Sequence, residues 1–143
     1  MTERVAKQIG IAIVEFQGCY LVGTRQTDQD LAGLAEFPGG KCESSESPEQ
    51  CAVRECREET GLSVIPVRLL DRVIHEYAHA AVDLHFWLCR IGGLDDESPG
   101  NEPDPQNGFQ WKPVEDLREL SFPAANASVV QMLVQAVKPR SDP

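Results

Sequence analysis

GKCESSESPEQCAVRECREETGL, residues 40–62, holds six carboxylates in a segment that reads as a loop, a helix and a second loop. Ser47 is suited to an N-cap, Pro48 to the first helical position and Gln50 to the return half of a capping box, so a helix is predicted to begin here. Gly61 is placed to end it. At about 100° per residue, Glu55, Glu58 and Glu59 share one helical face, and Ala52, Val53 and Cys56 form a narrow apolar stripe beside it. Arg54 lies four residues before Glu58, within reach to fix its rotamer and offset part of the repulsion among the acids. A hard divalent cation with oxygen ligands would relieve the rest, and Mg²⁺ is the natural choice.

A run of acids taken alone is as well explained by a solvated face. The spacing decides between the two. Gly40, Glu46, Arg54, Glu55, Glu58, Glu59 and Gly61 are seven fixed identities, with apolar Cys56 and Leu62 in the slots between and after them. Such a coincidence has a chance on the order of 10⁻⁸ per position tried. The segment resembles the Nudix box, the signature of the Nudix hydrolases, with Cys56 a small residue for the first apolar slot. Outside the box, Glu36-Phe37-Pro38-Gly39 and Phe122-Pro123-Ala124-Ala125-Asn126 resemble the MutT branch of that family, so the likeness runs from about Gln8 to Val137.

The resemblance implies an α/β fold, a Nudix-type α/β/α sandwich around a mixed β-sheet. It also implies Mg²⁺-dependent hydrolysis (Mn²⁺ being an alternative) of a nucleoside triphosphate to the monophosphate and pyrophosphate, with oxidised purines such as 8-oxo-dGTP as the expected substrates. Glu55, Glu58, Glu59 and the Gly39 carbonyl are then the expected metal ligands. Glu55 doubles as general base, because Gln110 stands where one known arrangement has a further glutamate. Glu46 supports the site and Arg54 orients a glutamate. Arg25, Phe37 and Asn126 are the expected substrate contacts, with the asparagine amide reading the purine edge; the type of residue at Asn126 equally suits a helix cap. Two other functions stay open: a CTP or methylated-pyrimidine triphosphate pyrophosphohydrolase, and a non-catalytic nucleotide sensor on the same scaffold.

The whole chain bounds these expectations. Its 143 residues, 41% of them hydrophobic, suit a single domain over residues 1–143 with a frayed tail from about 138. No run of 18 apolar residues and no apolar leader is present, which predicts a soluble, cytoplasmic protein without membrane contact. Five cysteines form no CxxC pair and suit reduced thiols. A formal net charge of −10 argues against a nucleic-acid polymer as partner. It does not exclude a phosphorylated one, since a bound cation reverses the local field. Monomer and homodimer remain equally open.

Along the chain, Gln8–Phe16 reads as a strand buried on both faces, Gln17-Gly18 as a turn and Cys19–Thr24 as the returning strand. Thr27–Ala35 reads as a loop over the substrate, and Pro38-Gly39-Gly40 as a place where the backbone turns tightly and comes close to a ligand. Ser63–His75 and Ala80–Arg90 are expected to pair as long antiparallel strands. Ile91–Gly108 reads as a loop, Phe109–Lys112 as a short strand, Pro113–Leu120 as a short helix and Asn126–Val137 as a final helix. His75, His79 and His85 lack metal-ligand spacing and read as structural, as does Trp111.

Overall fold

The computed structural model describes residues 6–25, 33–78, 80–92 and 103–136. The loop predicted at 27–35 falls mainly, and the tail from 138 wholly, outside these residues, as do His79 and residues 93–102 of the long acidic loop.

β1 (Lys7–Phe16) is the central strand. Ile11 and Ile13 point into one core while Ala12 and Val14 point into the other, so the strand is buried on both faces, as its continuous apolar run requires. It turns at Gln17 (φ 51°) and Gly18 (φ 81°) and returns as β2 (Cys19–Thr24). Positive φ at both turn residues matches the twist of a two-residue hairpin. β3 (Ala35–Glu36) extends the sheet beyond β2, and β4 (Gly39–Lys41) pairs antiparallel with Ile9–Ile11 of β1.

The tight turn expected at Gly39-Gly40 is thus a strand. A β-carbon at Gly39 would lie 2.6 Å from the Gly10 carbonyl oxygen, so glycine serves close approach of two backbones here and not a left-handed turn.

β5 (Val64–Glu76) and β6 (Ala81–Ile91) form the long antiparallel pair, with register breaks between Pro66 and Arg68 and between Leu69 and Asp71. β6 runs parallel to β1 over nine residue pairs, from Lys7–Val82 to Glu15–Arg90, which makes the sheet mixed. Its order is β3-β2-β1-β6-β5. β7 (Gln110–Pro113) pairs with β2, one residue later than predicted, because Phe109 is used as a core plug against Gly23.

α1 (Pro48–Thr60) lies on one face of the sheet, its Ala52 and Cys56 packed among Ala12, Val14, Leu21 and Cys89. Both halves of the capping box form: Gln50 N–H donates to Ser47 Oγ at 3.1 Å and Ser47 N–H to Gln50 Oε1 at 3.0 Å. Gly61, at φ 79°, supplies the left-handed C-cap. The helix seats on Gly10, where a β-carbon would lie 2.4 Å from the Pro48 carbonyl oxygen.

On the other face, Leu117, Val129 and Leu133 cover Ile11, Ile13, Val22, Phe37 and Phe86. Leu117 belongs to Val114–Glu119, the short helix predicted within 113–120, which takes the 3₁₀ form. Six residues without a side-chain cap close by an i→i+3 bond, Leu120 N–H to the Leu117 carbonyl, in place of α-helical bonds. α2 spans Ala127–Ala136, after a 3₁₀ turn at Ala124–Asn126 that takes Asn126 out of the helix proper. The layers are therefore helix, mixed sheet, helix.

Candidate active site

Arg54 ties the acidic segment together. Its Nε donates to Glu46 Oε2 at 2.7 Å and its Nη2 to Glu46 Oε1 at 3.0 Å, a two-pronged grip. Nη1 donates to Glu55 Oε1 and to Glu58 Oε2, both at 3.0 Å, and Nη2 also reaches the Lys41 carbonyl at 3.1 Å. One cation thus joins the loop before α1 to two acids on the helix. The Arg54 hydrogen bonds, followed by the Glu43 N–H, hold the Glu46 carboxyl down at about 2, and Glu46, with Glu55 and Glu58, raises Arg54.

The Glu55 carboxylate lies against Gly40, where a β-carbon would sit 2.6 Å from Glu55 Cδ. A glycine is needed at this place for space and not for turning. Glu59 lines a cavity beside α1. Burial pushes its carboxyl well above the usual carboxylate range, and the charges of Glu55 and Glu36 add to that rise. Glu55, Glu58 and Glu59 share one stretch of helix, as predicted. Among the described residues, however, no three carboxylates, thiols or imidazoles converge on one point: Arg54 draws Glu55 and Glu58 toward itself while Glu59 lines the cavity.

The cavity measures about 760 Å³ and is bounded by Thr24 and Arg25 at the end of β2, Glu36 of β3, Gly39 of β4, Glu59 of α1, and Asn107, Gly108 and Phe109. Arg25 pairs with Glu36, Nη1 to Oε1 at 3.2 Å. Burial raises the Glu36 carboxyl, and Arg25 pulls against that rise. The Arg25 backbone is fixed on both sides, its N–H donating to the Leu34 carbonyl at 2.8 Å and its carbonyl accepting from Gly33 at 3.1 Å.

Of the residues expected to meet substrate, Arg25 lines this cavity; Phe37 and Asn126 do not. Phe37 is buried in the α2-side core and stacks on Phe122 with ring centroids 4.9 Å apart. Asn126 turns its Nδ2 back to the Pro123 carbonyl at 3.4 Å, which is not the forward bond of a helix cap. Gln110 sits exposed on β7 opposite Val22. Sequence reasoning missed Thr24 and Asn107 as cavity residues and gave Glu36 no role of its own. Asn107 had a local signal: Asn107-Gly108 is a left-handed turn pair, and both residues have positive φ, 59° and 80°.

The NUDIX domain family matches residues 10–132. The 8-oxo-dGTP diphosphatase of Escherichia coli (strain K12) is 33% identical over 127 residues, which cover 88% of this chain and 95% of that protein. The CTP pyrophosphohydrolase of the same organism is 38% identical over 80 residues, 56% of this chain and 59% of that one. Among solved structures, the E. coli ORF135 protein superposes with a TM-score of 0.73 at 26% identity, covering 96% of each chain.

Proposed function

The chain belongs to the Nudix family, and from that premise we propose that it is a divalent-metal-dependent nucleoside triphosphate pyrophosphohydrolase acting in the cytoplasm on oxidised purine nucleotides such as 8-oxo-dGTP. The observation that carries the reading is the grip of Arg54 on Glu46, Glu55 and Glu58, beside a cavity into which Glu59 brings a fourth acid. The relative named 8-oxo-dGTP diphosphatase, aligned over nearly its whole length, supports the substrate class.

By donor type the acids fit a hard cation, although Glu55 and Glu58 are turned to Arg54 here and would have to swing toward Glu59 to share one. Burial and then the charges of Glu55 and Glu36 raise the Glu59 carboxyl, a strain that a cation would relieve, and carboxylate and carbonyl oxygens are the donors such cations take. Glu55, Glu58, Glu59 and the Gly39 carbonyl would hold Mg²⁺ or Mn²⁺. When bound, the metal neutralises phosphate charge and acidifies a water. The chain's own residues do the rest. Glu46 anchors Arg54, Arg54 keeps the Glu55 and Glu58 carboxylates oriented, and Glu55 takes the proton of the attacking water. Arg25 lines the cavity, and Glu36 holds its guanidinium.

Hydrolysis of CTP is the second reading. The relative named CTP pyrophosphohydrolase favours it. Pyrophosphate release from 8-oxo-dGTP, dGTP and CTP, each with Mg²⁺, separates the two. Preference for 8-oxo-dGTP over dGTP upholds the first, and equal turnover of those two with faster CTP hydrolysis replaces it by the second.

A further inference from the structure

The segment 103–109 is bound to the end of α1 by bonds that local sequence does not announce. Gln106 N–H donates to the Thr60 carbonyl at 2.9 Å and Asn107 Nδ2 to the Glu59 carbonyl at 2.6 Å. Thr60 Oγ1 and Gly61 N–H take the carbonyls of Cys56 and Arg57 at 2.7 and 2.9 Å. The last turn of a helix leaves its carbonyls without partners inside the helix, and here a remote turn supplies two of them. The same turn, closed by Phe109 N–H on the Gln106 carbonyl at 3.2 Å, delivers the Phe109 ring onto Gly23 of β2, where a β-carbon would lie 2.8 Å from it. It therefore brackets two walls of the cavity: the Glu59 end of α1 and the Thr24-Arg25 end of β2.

We propose that Asn107 is a positioning residue for the reaction: its amide fixes the last turn of α1 and so sets where Glu59 stands on the cavity wall. The inference rests on the reading of this cavity as the hydrolytic site. An asparagine here has a blander explanation, since its φ of 59° is a left-handed conformation that asparagine tolerates. The two explanations part at Asn107→Gly. Glycine keeps the left-handed backbone and loses only the amide; in Asn107→Asp the shape is kept and the donor is lost.

The experiment measures kcat and KM for pyrophosphate release and, separately, Mn²⁺ binding to the nucleotide-free protein by electron paramagnetic resonance. Both variants are expected to stay folded by circular dichroism, to lose about tenfold in kcat and in Mn²⁺ affinity, and to keep KM within about twofold. Wild-type kcat and Mn²⁺ affinity in Asn107→Gly would overturn the proposal and leave the turn as the whole role of the residue; if that variant fails to fold, wild-type values in Asn107→Asp do the same. Should the unmodified protein release no pyrophosphate from any nucleotide, the hydrolytic reading fails instead, and the Mn²⁺ titration still decides whether Asn107 positions Glu59.

Discussion

Gly40 leaves free the space that the Glu55 carboxylate fills: a β-carbon there would stand 2.6 Å from Glu55 Cδ and 2.7 Å from its Oε2. Gly40→Ala is therefore expected to push Glu55 off its bond to Arg54 while β4 keeps its pairing with β1. Turnover with Mg²⁺ should fall by about tenfold or more, since a displacement of this size spoils the placement of reacting groups. Comparing kcat with the thermal midpoint checks it; a variant with full activity would show that Glu55 has no fixed place in the reaction.

Arg54→Lys tests whether charge alone suffices. Lysine is a point charge that cannot grip Glu46 with two bonds and reach Glu55, Glu58 and the Lys41 carbonyl as well. A loss of about 10–100-fold in kcat is expected, the range typical of residues that orient metal ligands. Steady-state kinetics at saturating Mg²⁺ measures it.

Acid stability should carry the signature of Glu46. Its folded pKa, about 2, lies below the ordinary value of 4.5, so the folded state binds this proton less readily than the unfolded chain. That contribution to stability is present above about pH 4.5 and is lost as pH falls toward 2. Urea unfolding between pH 5 and pH 2 should show a shallower decline for Glu46→Gln than for the unmodified protein. Parallel pH curves would count against the Arg54–Glu46 pair.

Cys56 is fully buried in the α1-side core, and burial raises its thiol to about 11. It should act as a small apolar group with no part in the chemistry. Cys56→Ala is expected to cost about 1 kcal/mol of stability and to leave kcat unchanged. Activity loss in a folded Cys56→Ala protein would contradict this.

What could be read from the sequence follows from the range of the interactions. Ser47, Pro48, Gln50 and Gly61 act within a few residues of themselves, and each takes its predicted place at an end of α1. β1 declares its burial on both faces by composition alone, because only a central strand keeps so many apolar residues in a row. The Asn107–Glu59 bond spans 48 residues, so sequence shows the turn at Asn107-Gly108 but not what the turn grips. Gly39 and Gly40 are legible as places of close approach, but not what approaches them: β1 lies against Gly39 and the Glu55 carboxylate against Gly40. Phe37 and Asn126 belong to short motifs whose local form says nothing of which layer they enter; the structure puts Phe37 in the core and folds Asn126 onto its own turn.

The most direct test of the central claim is the identity of the products formed from 8-oxo-dGTP by the unmodified protein and by Glu58→Gln, followed by ³¹P NMR with Mg²⁺ and with a chelator. The expected result is nucleoside monophosphate and pyrophosphate from the unmodified protein with Mg²⁺, none with the chelator, and a rate lower by orders of magnitude in a folded Glu58→Gln protein. Release of orthophosphate, turnover in the presence of the chelator, or near-full activity in Glu58→Gln would contradict it.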